Sequence, residues 1–209
     1  LIKLAVLASG GGSNLGAILD AIRGRGLDAE VALVLSNVAE AGALARARAA
    51  GVATAVVPHK AFATREEFDA ALVHQVRASG AEWVALAGFM RVLSPVFLDA
   101  FSGRVLNIHP ALLPAFPGTH AQRQALLYGA RVAGCTVHFV DTGTDTGPII
   151  AQTAVPVAED DSVETLSARI LEAEHALFPR VLQWIAEGRV SLVPSEAGAR
   201  PRVHIRHGS

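Results

Sequence analysis

The chain has 209 residues, 51% hydrophobic and 5% aromatic, with 18 basic and 19 acidic side chains and a formal net charge of −1. That is enough apolar material for one core, or one core with a small appendage, built mostly from Ala, Val, Leu and Ile. The charge balance argues against nucleic acid as the main partner. The single cysteine, Cys135, excludes an intramolecular disulfide and a Cys-based zinc cluster and fits a reducing cytoplasm, and no apolar run reaches membrane-span length.

Residues 3–8, apolar from Leu4 to Ala8, read as a buried strand. Leu15, Ile18, Leu19 and Ile22 then recur at i, i+3, i+4 and i+7, one face of a helix. Residues 31–35 predict a second strand, 41–50 an Ala- and Arg-rich helix, and 54–57 a third strand closed by Pro58. Residues 65–78 predict a helix whose inner face carries Phe68, Ala71, Leu72 and Val76, and 83–87 a fourth strand. This βαβαβαβ order predicts a Rossmann-like, doubly wound α/β domain with a mostly parallel sheet.

The second half is less regular. Residues 105–108 read as a short strand, 111–118 as loop and 120–128 as helix. Residues 136–140 and 149–157 read as a hairpin pair of strands, an antiparallel portion, separated by the loop 141–147. Asp161 with Glu164 has the spacing of a capping box, opening a long helix with Val163, Leu166, Ile170, Leu177 and Val181 on its buried face. Residues 1–193 read as one domain and 194–209 as a polar tail, an edge strand or disordered, with Arg200, Arg202 and Arg206.

Two features carry chemistry. Ser9-Gly10-Gly11-Gly12-Ser13-Asn14 lies between a strand and a helix, where backbone N–H groups and the helix dipole favour an anion. A dinucleotide fingerprint would need glycine at position 15, which is Leu15, and an acidic residue where Ser36 and Asn37 stand. A P-loop fails because Ala17-Ile18 follow Gly16. A monophosphate seat remains, beside the alternative of a tight turn without ligand.

The second feature is Asn107-Ile108-His109-Pro110 with Asp145-Thr146-Gly147 downstream. Asn107 and His109 are two apart at a strand end, so both side chains share one face, at the edge where α/β sheets bind ligands. An amide, an imidazole and a carboxylate can hold, polarise and deprotonate around one carbonyl; each donor aimed at an oxyanion is worth about 3–4 kcal/mol. The alternative is an ordinary structural histidine. His138 reads as a hydrogen-bonded core or supporting residue, and His59, His74, His204 and His207 as surface. The scattered histidines include no zinc motif, and no G-x-S-x-G elbow is present. The apolar run 88–93 suits either the wall of a flat heterocycle site or plain packing.

The segments 9–15, 87–91, 107–114, 116–118, 137–140 and 145–149 resemble, in order, the phosphoribosylglycinamide formyltransferases of the 10-formyltetrahydrofolate-dependent formyltransferase family. The Asn-x-His plus Asp set is common to that wider family and its hydrolase cousins, and the S-G-x-G-S-N-L opening narrows it. The resemblance implies the formyltransferase fold and transfer of a formyl group from 10-formyltetrahydrofolate to the glycyl amine of glycinamide ribonucleotide, in de novo purine synthesis. It implies that Asn107 and His109 hold the formyl oxygen and that Asp145 pairs with His109 and helps move the amine proton. Gly11, Gly12, Ser13 and Asn14 would take the phosphate, and Glu174 the ribose hydroxyls. Arg65 would lie near the folate or the phosphate. Met90, Arg91, Val92 and Leu93, with the backbone of Val140, Asp141, Thr142, Gly143 and Thr144, would line the pterin pocket. The N-terminal half would then bind phosphate and the C-terminal half carry catalysis and folate. No metal, nucleic acid or membrane partner is implied, and the chain would be a monomer or homodimer. Leu171 departs from the polar residue of some relatives, and the basic tail has no counterpart.

Three rival readings remain. A methionyl-tRNA formyltransferase would carry a basic nucleic-acid-binding addition, and a formyltetrahydrofolate hydrolase an N-terminal regulatory domain. A non-catalytic sugar-phosphate-binding domain would explain the glycine loop alone.

Overall fold

A computed structural model of the chain describes residues 1–195 and 200–206. It forms two compact units, Leu1–Asn107 and Ile108–Ser209.

The first unit is built from β1 (Ile2–Leu7), α1 (Ser13–Arg23), β2 (Ala29–Ser36), α2 (Gly42–Ala49), β3 (Thr54–Val56), a 3-10 turn (His59–Ala61), α3 (Arg65–Ala78), β4 (Trp83–Leu86), α4 (Pro95–Ala100) and the start of β5 (Val105–His109). All its strand pairs are parallel: Leu7 pairs with both Leu35 and Leu86, Leu86 with Asn107, and Ser36 with Val56. The register sets the carboxyl ends of these strands along one edge, from which the loops after β1, β2 and β4 emerge. Beneath them Leu4, Leu15, Ile18, Leu35, Leu44, Phe68, Leu72 and Phe97 are fully buried. Each such side chain contributes about 1.5–3 kcal/mol through its removal from water. Leu19, Ile22 and Ala71 flank that core at intermediate burial.

Local chemistry explains where elements start. Thr64 caps α3 by accepting the Glu67 N–H, and Glu67 accepts the Thr64 N–H in return, a capping box that the sequence reading passed over. The short α4 was also unforeseen, although Ser94 at its N-cap and Pro95 at N1 announce it. Its first N–H is held by Asp69 of α3, which is fully buried.

The second unit comprises α5 (Ala121–Tyr128), β6 (Val132–Phe139), β7 (Ile149–Pro156), α6 (Val163–Ala186), β8 (Val190–Val193) and β9 (Arg202–Ile205). β6 and β7 are antiparallel, with a register shift between Val137 and His138. β6 begins at Val132 rather than near 136, because Val132 to Cys135 already pair with β7. The predicted cap of α6 is corrected. The Asp161 carboxylate is already engaged by the Arg169 guanidinium, the Ala158 N–H and the Thr165 hydroxyl, so Ser162 is the N-cap and Thr165 closes the box. Val163, at the first helical position, is 37% exposed rather than part of the buried face, whereas Leu166, Ile170, Leu177 and Val181 are buried as expected.

β8 and β9 form an antiparallel pair, so residues 202–205 of the basic tail are a strand; 196–199 and 207–209, including His207, lie outside the described residues. Strand order in the main sheet is β3-β2-β1-β4-β5-β6-β7, a mixed, mostly parallel α/β sheet with antiparallel C-terminal strands. No helix among the described residues is long and apolar enough to cross a membrane.

Candidate active site

The glycine loop joins β1 to α1. Its carbonyls are turned onto neighbouring helices: Gly10 O accepts the Ala43 N–H, Gly11 O the Arg46 Nε–H, and Gly12 O the Gly16 N–H. Three successive carbonyls are thereby occupied, and no side chain caps α1. Gly12 sits at φ 72°, and a Cβ there would lie 2.6 Å from Ala43 Cα, so glycine is required by conformation and by contact. Around Gly10 and Gly11 a Cβ would meet nothing within 4 Å. The turn is therefore packed on one side and open on the other, the shape an anion seat needs. Ser13 is half-buried and Asn14 buried in the first turn, whose N–H groups have no acceptor within the helix.

The loop after β4 leaves the same edge. Met90 is 69% exposed and Val92 49%, Arg91 is exposed, and Leu93 is buried beneath them. The backbone is anchored to the glycine loop: the Ser9 N–H donates to Gly88 O and the Met90 N–H to Ser9 Oγ. Arg65 stands exposed on the first turn of α3, 3.8 Å from Glu66. His59, expected at the surface, is half-buried, its Nδ1 3.1 Å from Asn37 Nδ2, because the 3-10 turn lays its ring edge-on to buried Phe68.

β5 carries Asn107 and His109 two positions apart and so on one face. In the second unit His109 is buried, and its Nε2–H donates to Phe116 O at 2.9 Å while Nδ1 faces Asp145 Oδ2 at 3.4 Å. His138 is also buried; its Nδ1–H donates to Phe139 O at 2.8 Å while Nε2 lies 3.6 Å from Asp145 Oδ1. Each imidazole is thus tethered to a carbonyl on one side and faces the same carboxylate on the other. Asp145 itself has φ 54°, a left-handed conformation that only Asp, Asn and Gly adopt readily, and its Oδ2 accepts the Gly118 N–H at 2.8 Å. Burial works to raise the Asp145 pKa, but the facing His138, the Gly118 N–H and the charge of His109 outweigh it and hold the carboxyl below its ordinary range.

Two residues that the sequence reading did not single out hold this assembly. The Thr136 hydroxyl donates to Ala111 O and accepts the Leu113 N–H, and Gln152 Nε2 donates to Thr136 Oγ1 and Leu113 O. They pin the segment that follows His109. The available signal was a polar pair cross-strand in register, Thr136 with Gln152, in two largely apolar strands. His138, expected as a hydrogen-bonded core or supporting residue, is buried and faces Asp145.

The loop 141–147 is held by Asp141, whose Oδ1 accepts the Gly143 N–H and the Thr146 hydroxyl. A Cβ at Gly147 would fall 1.7 Å from Phe139 O, so the loop closes only around glycine. Asp141 to Thr144 are exposed and Val140 half-buried. Glu174, on α6, is buried near Cys135, whose thiol is pushed up to about 12 by burial first and by the Glu174 charge second. Among the described residues no group of three or more His, Cys, Asp or Glu is arranged to hold a metal ion.

The first unit thus carries an open glycine turn with a partly apolar loop fastened to it, and the second a buried cluster of His109, Asp145 and His138. A family model described as formyl transferase matches residues 2–182. The chain is 50% identical over 200 residues to the trifunctional purine biosynthetic protein adenosine-3 of Drosophila pseudoobscura pseudoobscura, covering 93% of this chain but 15% of that protein. It is 46% identical over 191 residues to phosphoribosylglycinamide formyltransferase of Escherichia coli strain K12, covering 91% of this chain and 90% of that one. The crystal structure of glycinamide ribonucleotide transformylase 1 from Symbiobacterium toebii superposes with a TM-score of 0.93 at 50% identity, over 98% of this chain and 94% of that chain.

Proposed function

Because the chain belongs to the formyl transferase family, we propose that it transfers the formyl group of 10-formyltetrahydrofolate to the glycyl amine of glycinamide ribonucleotide. The products are N-formylglycinamide ribonucleotide and tetrahydrofolate, a step of de novo purine biosynthesis. The observation that carries this reading is the Asp145 carboxylate, kept ionised between two tethered imidazoles. It lies on the loop that joins β6 to β7, the two strands whose Thr136 and Gln152 pin the segment after His109.

In the reaction a C–N bond forms between the glycyl nitrogen and the formyl carbon, and the bond from that carbon to N10 of the folate breaks. One proton leaves the glycyl nitrogen and one arrives at N10. As the amine attacks, the formyl oxygen becomes negative. The Asn107 amide donates to it, and a preorganised donor of this kind lowers the barrier by about 3–4 kcal/mol. His109, held by Phe116 O and facing Asp145 at 3.4 Å, is the second group assigned to that oxygen. Asp145 orients that imidazole. With its pKa lowered it is a weak base, yet a weak base suffices, because the attacking nitrogen becomes acidic once its bond to carbon forms. A water relays that proton.

Gly11, Gly12, Ser13 and Asn14 seat the ribose phosphate, and Glu174 takes the ribose hydroxyls. Met90 to Leu93 and the backbone of 140–144 form the walls against the pterin, with Arg65 toward the folate or the phosphate. The donor is a co-substrate, and the chemistry assigned to these side chains calls on no metal.

The test is incubation with glycinamide ribonucleotide and 10-formyltetrahydrofolate, following the reduced folate by absorbance. Asn107→Ala is expected to lower turnover by about two decades or more while phosphate-ligand binding survives. Unchanged turnover in that variant sinks the reading, and folate release without glycinamide ribonucleotide would mark a hydrolase instead.

A further inference from the structure

Asn37 stands where a dinucleotide-binding fold would place an acidic residue, and nothing in the reaction above uses it. It is buried, and it belongs to a chain of hydrogen bonds inside the first unit. Ser9 Oγ accepts the Met90 N–H at 2.9 Å and donates to Asn37 Oδ1 at 2.6 Å, and Asn37 Nδ2 lies 3.1 Å from His59 Nδ1. The polarity follows from one end. The Met90 N–H can only donate, so Ser9 Oγ is the acceptor there and its own proton goes to Asn37 Oδ1. That turns Asn37 Nδ2 toward His59, whose Nδ1 must offer a lone pair. The ring is held against buried Phe68, with centroids 6.3 Å apart.

Ser9 opens the glycine loop, and Met90 opens the exposed part of the loop after β4. One hydroxyl therefore fastens two loops assigned to different ligands, and it does so through the Met90 backbone, leaving that side chain exposed. A chain of bonds with fixed polarity reinforces each link and restricts both loops together.

We propose that Ser9 is a positioning residue shared by the two substrates: its hydroxyl, aimed by Asn37 and His59, locks the phosphate loop and the 89–93 loop in one relative geometry. The inference rests on the functional reading above, because that reading assigns the phosphate to one loop and the folate to the other. Ser9 touches neither substrate.

Steady-state kinetics with glycinamide ribonucleotide and 10-formyltetrahydrofolate test it. Ser9→Ala removes both of the hydroxyl's bonds and is expected to raise the KM of both substrates about five- to tenfold, with kcat within about twofold of the parent. Ser9→Thr keeps the hydroxyl and is expected to restore both KM values. Asn37→Ala leaves the hydroxyl without its orienting acceptor and is expected to shift both KM values in the same direction. Because the two residues share a bond, the double variant should show less than the product of the single effects. A loss confined to one substrate, or Ser9→Ala kinetics equal to the parent, overturns the proposal. Failure of the unmodified chain to turn over this substrate pair would instead overturn the functional reading. Should Ser9→Ala not fold, Asn37→Ala decides on the same criteria.

Discussion

Asp145 shows how much one residue is asked to do. Its backbone is left-handed at φ 54°, one oxygen is tied to the Gly118 N–H, and two imidazoles approach it from different strands. The stability consequence has a definite sign. The folded carboxyl is held below the ordinary value of 3.8, so it stabilises the fold at neutral pH, and that contribution is lost as the pH falls through the folded pKa. Asp145→Asn is expected to lower kcat by about two to four decades. Its urea midpoint should also fall less steeply than the parent's between about pH 6 and pH 3; parallel declines would count against this account. This cluster was only half legible. Asn107, His109 and Asp145 stand out by residue type and by the strand-end rule. The tether of each imidazole to a carbonyl depends on loops whose path no periodicity reveals.

Elements that follow simple periods were legible, and those set by tertiary bonds were not. The first four strands and α3 were anticipated to within a few residues, β1 and β4 most directly because buried parallel strands are near-continuous apolar runs. The cap of α6 was misplaced because Asp161 is drawn to Arg169, eight residues ahead, a pairing that residue spacing at the cap does not disclose. α4 escaped notice because six residues carry little pattern, and its start is fixed by a side chain on another helix, Asp69. Burial raises the Asp69 pKa, and the Ser94 N–H only partly opposes it. The sign is opposite to that of Asp145: stability is full below the unfolded pKa and is lost as the pH rises through the folded value. Asp69→Asn keeps an acceptor for Ser94 and removes the titration. It should therefore compare better with the parent near pH 7 than near pH 4, a difference that denaturant midpoints at the two pH values will register.

At the level of the molecule, composition had excluded more than it identified, and the ordered series of short motifs named the family. The role of the basic tail was not legible. β9 pairs with β8, and Arg200 donates to Thr146 O, beside Asp145. A chain ending at residue 193 is expected to fold yet turn over about three- to tenfold more slowly, because the loop 141–147 loses that brace. Equal specific activity for the shortened and full-length proteins would show the tail to be dispensable.

The contact between Gly12 and Ala43 has a wider implication. A loop of six residues owes its shape to a helix some thirty positions further on, which supplies its floor and occupies the Gly10 and Gly11 carbonyls. Transplanted into another scaffold as a short insert, the same letters would keep their flexibility and lose this shape. What is portable is the pair of segments, and a designer borrowing one would need to carry the other.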